Sequence, residues 1–456
     1  MKKKLPKNWV KTEVGVVSEI IRGITYNKLQ AKPIKENDDY LVLRGGNIQD
    51  GEITTETNDV VYVESSLVKT QQEIKKGDVV IVGSTGSKRL IGKAGIAKQD
   101  FKEVSFGAFL MLIRPSKLIE ASFFDYYFIS DNYRNVIRDL AGGVNINNIR
   151  REYIINLKYP LPPLPEQQRM VAKLDDLFGH LDSLKARLEN IPQILKNFRQ
   201  AVLTQAVTGK LTLKYHRGEK MANWEVTTIG NLFEVKTGAT PKRGNSSYYE
   251  NGEIPWLKSG QVKNDFIYES EEFITDIAIE ETNAKIYPKD TLLVAMYGEG
   301  KTRGQVGWMK LEAASNQAIA ALVNEEMDLK TKQYVYYYCL SQYLEIRKQA
   351  EGGNQPNLNL SKIKNWEISI PPKEEQTQIV KRVEHLFAKA DVIEVQYQSL
   401  KTKIDRLPQA ILAKAFKGEL VEQLDTDGSA AILLAEIQKI KAASLRGTKQ
   451  SVKVKK

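Results

Sequence analysis

The sequence predicts an α+β protein: two mixed α/β domains separated by two long helices that pair as an antiparallel coiled coil, with the halves forming a pseudo-two-fold internal repeat. Three observations carry that class. A segment of fifty residues occurs twice. Each copy has an unbroken 4-3 spacing of apolar residues. The stretches ahead of the copies share short β-branched runs punctuated by Gly, Asn and Asp.

Residues 162–211 align without a gap on residues 371–420, at an offset of 209, and fourteen of the fifty positions are identical. The identities include Pro162/Pro371, Pro163/Pro372, Glu166/Glu375, Gln167/Gln376, Phe178/Phe387 and Gly209/Gly418. In the first copy the 4-3 spacing runs from Met170 through Leu174, Leu177, Leu181, Leu184, Leu188, Ile191, Leu195 and Phe198 to Val202. In the second it runs from Ile379 through Val383, Leu386, Ala390, Ile393, Tyr397, Leu400, Ile404 and Leu407 to Ile411. Such a series is a coiled-coil seam, narrower than the apolar stripe of a core helix. Each helix covers about 40 residues, roughly 60 Å at the α-helical rise. Pro192 and Pro408 should each kink or locally break their helix. Gly209 and Gly418 stand where glycine ends a helix.

The segments ahead of the helices repeat less closely. Asn8-Trp9 matches Asn223-Trp224, and Leu43-Arg44-Gly45-Gly46-Asn47-Ile48 matches Leu257-Lys258-Ser259-Gly260-Gln261-Val262. Lys76-Gly77-Asp78-Val79-Val80-Ile81-Val82 matches Pro288-Lys289-Asp290-Thr291-Leu292-Leu293-Val294. Gly92 and Gly95 match Gly304 and Gly307, and Gly142-Gly143 matches Gly352-Gly353. Both segments read as mixed domains of several short strands. The domains are therefore 1–160, a central helix over 161–212, a second domain over 221–370, a distal helix over 371–421, and a C-terminal helix with a basic tail over 422–456. A seam of that length cannot stay exposed, so the helices should pair. Short connections favour antiparallel neighbours, with one domain at each end. The short amphipathic helix expected from Ala431 should dock on the long helices or on a partner.

Composition narrows the function. A net charge of +11 and a pI near 9.2 fit either an ordinary basic soluble protein or a polyanion partner, since Lys and Arg gain affinity by releasing counterions from a phosphate backbone. The single cysteine, Cys339, sits among apolar neighbours and reads as core. Three scattered histidines give no zinc or iron signature. The start Met1-Lys2-Lys3-Lys4 leads into Leu5-Pro6-Lys7-Asn8-Trp9 rather than an apolar run, so the cytoplasm is the expected location.

The most tempting catalytic motif is Ala295-Met296-Tyr297-Gly298-Glu299-Gly300-Lys301-Thr302, which nearly spells a phosphate-binding loop. Ala295 stands where the first glycine belongs, and Gly304-Gln305-Val306-Gly307-Trp308-Met309 reads as turn and strand rather than a phosphate-holding helix. No Asn-Pro-Pro-Tyr methyltransferase motif and no nuclease-like cluster of acids stands out.

Nucleic-acid binding has positive support. Arg44, Asn47 and Gln49 lie together, as do Lys258 and Gln261, and such side chains read base edges in the major groove. Ser84, Thr85, Lys88 and Arg89 form one basic hydroxyl-rich loop, Lys236, Thr240, Lys242 and Arg243 a second, and Tyr297, Lys301 and Arg303 a third. Each taken alone could be an exposed polar loop residue. Their recurrence at matching sites of both domains favours binding.

The doubled pattern resembles the specificity subunits of type I restriction-modification systems. The residues that carry the resemblance are Leu161-Pro162-Pro163-Leu164-Pro165-Glu166-Gln167-Gln168 and Ile370-Pro371-Pro372-Lys373-Glu374-Glu375-Gln376 where the helices begin, and the Ala201–Leu211 and Ala410–Leu420 stretches where they end. The resemblance implies two target recognition domains, each reading half of a split DNA site. It implies helices that set the spacing and dock two methyltransferase subunits, with two restriction motor subunits in the full complex. It implies no catalytic residue and no cofactor on this chain, with S-adenosylmethionine, ATP and Mg on the partner subunits. The alternative is a coiled-coil adaptor that never touches DNA; the basic charge and the duplicated loops weigh against it.

Overall fold

A computed structural model describes residues 5–56, 60–141, 147–215, 223–298, 302–351 and 358–453. The glycine pairs at 142–143 and 352–353 lie outside these. The chain divides into two compact units, residues 1–187 with 400–456, and residues 188–399. The long helical segments are thus shared between units, each unit holding one globular domain and a piece of both.

The first domain is built around a four-stranded antiparallel sheet in the order Ser18–Arg22, Leu110–Pro115, Val79–Val82, Ala94–Ile96. Its central strand is an uninterrupted apolar run because both faces are covered. Val79 and Ile81 point into a core shared with the helices Ala121–Phe128 and Asp131–Leu140, while Val80 and Val82 point into a second core with Leu43, Phe106 and Leu112. A smaller sheet, Val104–Phe106, Tyr40–Leu43 and Tyr62–Val63, closes that second core.

The second domain repeats this plan. Its five-stranded sheet runs Glu234–Thr237, Ile319–Val323, Leu292–Ala295, Val306–Met309, Asp265–Ile267. Leu292 and Val294 face one core, Leu293 and Ala295 another. The turn before the central strand needs a left-handed residue in both copies, supplied by Gly77 (φ +83°) and by Asp290 (φ +65°).

Each domain begins and ends at the same place. Val10–Glu13 pairs antiparallel with Lys158–Leu161, and Glu225–Thr228 with Glu367–Ile370. The long helices start directly after these ribbons. The first is two helices, Leu164–Glu189 and Ile191–Val207, broken at Asn190 where Pro192 would otherwise sit in a helix interior. The second, Lys373–Ala415, continues as one helix through Pro408, so the sequence there does not break it. Gln409, the next residue, is anchored on both sides: its Nε2 donates to Ile129 O (3.1 Å) and its Oε1 accepts from Asp131 N (2.7 Å). Both helical segments stop at a left-handed glycine, Gly209 (φ +70°) and Gly418 (φ +71°).

Within the second unit the helical segments run antiparallel. Thr212 Oγ1 donates to Glu375 Oε1 at 2.6 Å, Arg382 donates to Leu211 O, and Arg199 pairs with Asp391 (2.6 Å) and Glu394 (2.9 Å). Within the first, Met170 and Leu174 pack in one cluster with Leu412, Ala415 and Phe416. The seam closes on only part of its positions. Leu181 and Ile404 in the first unit, and Leu195, Ala390 and Tyr397 in the second, are buried. Leu184, Phe198, Ile393, Leu400 and Leu407 stay 38% to 47% exposed, so the a/d seam expected from the spacing is open at five of its twenty positions.

The C-terminal helix, Ala430–Lys453, is longer than expected and docks on the first domain. Ala430 N donates to Asn8 O at 3.0 Å, Ile437 is buried in the same core as Val14 and Val17, and Lys441 Nζ reaches Ser18 O (2.9 Å) and the Gly15 carbonyl. The link before it is held by Arg169, bidentate to Asp427 at 2.6 and 2.7 Å. Among the described residues no helix is long and apolar enough to cross a membrane.

One buried acid gives the first unit a pH dependence. The Asp125 carboxyl lies in the helix Ala121–Phe128 with Oδ1 buried and without a hydrogen-bond partner. Burial, reinforced by Asp78 and Glu120, pushes its pKa up to about 8. A folded-state pKa above the unfolded one means stability that is full below about pH 4 and lost as pH climbs to about 8. Asp125→Asn should therefore melt with the parent at pH 4 and increasingly above it up to pH 8, the gap then levelling off. Calorimetric scans across that range check this; a gap that does not change with pH would refute it.

Candidate nucleic-acid interface

The two domains build one backbone frame from four equivalent segments. Gly23 and Gly238 let a strand end pass so close to its neighbour that an added Cβ would lie 2.1 Å from Gly107 O in one domain and 1.7 Å from Ser315 O in the other. Gly107 N donates to Leu43 O and Asn316 N to Leu257 O, both at 3.0 Å. Phe109 O accepts from Gly83 N (2.8 Å) and Ser84 N (3.0 Å); Ala318 O accepts from Met296 N (2.8 Å) and Tyr297 N (3.4 Å). Gly92 N closes on Val82 O and Gly304 N on Ala295 O, each at 2.8 Å with a left-handed glycine. The near-miss phosphate loop is thus the connection of a β-hairpin, Leu292–Ala295 to Val306–Met309.

In the first domain this frame surrounds a cavity of about 450 Å³ lined by Thr25, Tyr26, Arg44, Ser84, Thr85 and Phe109. A neighbouring cavity of about 380 Å³ shares Ser84 and adds Arg22, Asn148, Arg150 and Arg151. Ser84–Thr85 is fixed there by pairing with Asn147–Asn148. Three residues singled out from sequence, Arg44, Ser84 and Thr85, therefore meet around one cleft. Thr25 and Phe109 join them there, and Arg22, Arg150 and Arg151 line the neighbouring cavity; all five were missed, and the match of Gly23-Ile24-Thr25 to Gly238-Ala239-Thr240 was the available signal for Thr25. Lys88 and Arg89 lie exposed on the adjacent turn, whose backbone is held by Arg134 Nη2 donating to Arg89 O at 3.0 Å.

Other candidates have different work. Asn47 is buried, its Oδ1 accepting from Arg44 N (2.8 Å) and its Nδ2 donating to Thr54 O (2.9 Å). Gln261 Oε1 accepts from Lys258 N at 3.3 Å in the equivalent turn. The recurrence of an amide at these positions therefore marks a capped 3₁₀ turn, Gly45–Asn47 and Ser259–Gln261, which gives both amides a structural use. Gln49 is engaged by Gly46 O (3.2 Å) and by Lys93 Nζ (3.1 Å).

In the second domain several cations are neutralised within the protein. Lys236 pairs with Glu234 at 2.6 Å. Glu272 binds Arg243 Nη2 at 2.7 Å and also Lys258, and the Lys258 ammonium leads in holding its carboxyl below the usual range. Arg243 stacks over both Tyr249 and Trp256 at 4.9 Å, so it acts as a structural clamp. Thr240 Oγ1 donates to Gln317 Oε1 across the frame. Tyr297 is 40% exposed, Lys242 is exposed and Arg303 half-buried; Lys301 lies outside the described residues. Among the described residues no cluster of His, Cys, Asp and Glu could hold a metal ion.

Known proteins match this arrangement. A family model for the type I restriction modification DNA specificity domain matches twice, over residues 6–193 and 221–402. The type I restriction enzyme StySPI specificity subunit of Salmonella potsdam is 36% identical over 462 residues, covering 97% of both chains. The EcoKI specificity subunit of Escherichia coli K12 is 36% identical over 468 residues, again covering 97% of each. In fold, the chain is similar to the crystal structure of the HsdS subunit from Thermoanaerobacter tengcongensis, with a TM-score of 0.61, 18% identity, and coverage of 92% of this chain and 99% of that one.

The geometry separates two arginines. Arg44→Ala should weaken duplex binding by the assembled complex and lower its salt slope by about 1, the contribution of one phosphate contact. Arg243→Ala should instead lower the unfolding temperature of the second unit, since it removes an ion pair and two stacking contacts. Fluorescence anisotropy at several salt concentrations and differential scanning calorimetry read the two effects. An Arg243→Ala protein of unchanged stability would contradict the clamp.

Proposed function

This chain belongs to the family of type I restriction-modification DNA specificity subunits, and from that premise we propose that each of its two globular domains reads one half of a bipartite DNA target. The observation that carries this reading is the doubled match of the specificity-domain model onto two domains with the same backbone frame. A coiled-coil adaptor without DNA contact is disfavoured by the same match. The cleft holding Arg44, Ser84 and Thr85 supplies one half-site contact, with phosphates held by cations and hydroxyls and base edges read in the groove. In the second domain, Thr240, Lys258 and Tyr297 lie on the equivalent segments.

The chain is the recognition component and acts in a complex with DNA and other subunits. In our reading its helical segments dock two methyltransferase subunits and set the spacer between half-sites, and two restriction motor subunits complete the assembly. S-adenosylmethionine, ATP and Mg then belong to those partners, and the complex works on DNA in the cytoplasm.

Both ends of the first domain meet in one ribbon, Val10–Glu13 with Lys158–Leu161. Replacing residues 1–160 by the matching part of a relative should therefore change one half of the methylated motif and leave the other intact. Methylome sequencing of a host expressing the hybrid complex is the test. A change in both halves together would defeat the two-reader model.

A further inference from the structure

We propose that Phe109 is a specificity-determining residue that reads a thymine 5-methyl group in the half-site of the first domain. The inference rests on the DNA-reading function proposed above. Phe109 is 71% exposed, although with Ala108 it forms the tip of a turn between core residues: Phe106 before it and Leu110 after it are fully buried. The ring does not project from a loose loop. Its own carbonyl accepts from Gly83 N and Ser84 N, and Gly107 N donates to Leu43 O, so the turn is tied to two different strands.

The ring stands on the rim of the 450 Å³ cleft beside Arg44, Ser84 and Thr85. An apolar surface held rigid among hydrogen-bonding groups is the arrangement that major-groove readout of thymine requires. The methyl group is the one apolar feature on that edge of the base pairs, and aromatic or methyl-bearing side chains are what contact it.

The comparison of the two domains sharpens the assignment. The carbonyl latch is the same in both, yet the residue at the tip differs: Phe109 is matched by Ala318, and Ala108 by Gln317, whose amide oxygen is held by Thr240. A constant frame whose tip carries Ala108-Phe109 in one domain and Gln317-Ala318 in the other, apolar ring against amide at adjacent positions, has the form expected of a reading element. Were the tip only structural, nothing in the shared latch would require the change.

The test uses the full complex and duplexes carrying the motif found by methylome sequencing. Each thymine of the first half-site, on either strand, is replaced singly by deoxyuridine, which lacks only the methyl group. With the wild-type chain one such replacement should weaken binding about 3- to 10-fold, the loss of a single apolar base contact. Phe109→Ala should show a similar loss on the unmodified duplex and no further loss on replacement at that position. Phe109→Leu, which keeps an apolar surface, should retain part of the sensitivity, and replacements in the second half-site should act equally on all three chains. Full wild-type affinity in Phe109→Ala, or losses that simply multiply at every thymine, would overturn the proposal. A wild-type complex that shows no sequence-specific binding at all would instead remove the function on which it rests. Thermal scans of each variant keep a folding defect from imitating a lost contact.

Discussion

Each domain is held to its long helix by a buried tryptophan that donates to a glutamate in the helix's first turn. Trp9 Nε1 meets Glu166 Oε2 at 2.9 Å, and Trp224 Nε1 meets Glu375 Oε2 at 2.9 Å. A hydrogen bond to a charged acceptor contributes about 1.5–3 kcal/mol, and a buried carboxylate stripped of its donor costs more. Burial already drives the Glu166 carboxyl upward, with the indole working against it. The adjacent glutamine completes the joint. Gln167 Nε2 donates to Pro162 O at 2.8 Å, and Gln376 Nε2 to Pro371 O at 2.7 Å. The paired prolines stiffen the approach, the glutamine ties it down, and the glutamate locks the first residues of the domain onto its last. Everything else inherits its position from this joint: the terminal ribbons, the sheets behind them, and the clefts beyond.

On that base the two domains separate constancy from variation. What repeats is backbone: glycines that admit close approach, carbonyls that accept two amides, and left-handed turns ahead of the central strands. What differs is carried outward from it. The first domain carries Arg44 in one cleft and Arg22, Arg150 and Arg151 in its neighbour, whereas the second domain pairs Arg243 and Lys258 with Glu272. The backbone links of the frame do not run through these outward side chains, so it can accept many of them, which is what a reader of varied sequence needs.

The architecture was legible in the sequence because its determinants are periodic and local. The 4-3 spacing, the terminal glycines and the doubled Pro-Pro-x-x-Glu-Gln each act within a few residues. The site was less legible because its determinants are distant in the chain. Nothing near Arg243 announces that Tyr249, Trp256 and Glu272 will enclose it. The recurrence of Asn47 and Gln261 suggested shared recognition, but an amide is equally what a 3₁₀ turn needs for its cap, a use that the sequence pattern does not distinguish from base reading. Phe109 escaped notice for the opposite reason: an aromatic residue in an apolar run reads as core, and only the turn geometry turns it outward. The C-terminal helix was visible as an element, but its berth depended on Lys441 finding the carbonyls of Gly15 and Ser18, far away in sequence.

The five open positions of the seam bear on the life of the protein in the cell. Leu184, Phe198, Ile393, Leu400 and Leu407 keep a third to a half of their surface in water. Apolar surface of this kind is what chaperone holdases bind and what drives aggregation when it persists. Copies made in excess of whatever covers that surface are then open to quality control, and the surplus is triaged away. The amount of this chain would in this way follow the supply of whatever covers the open seam positions.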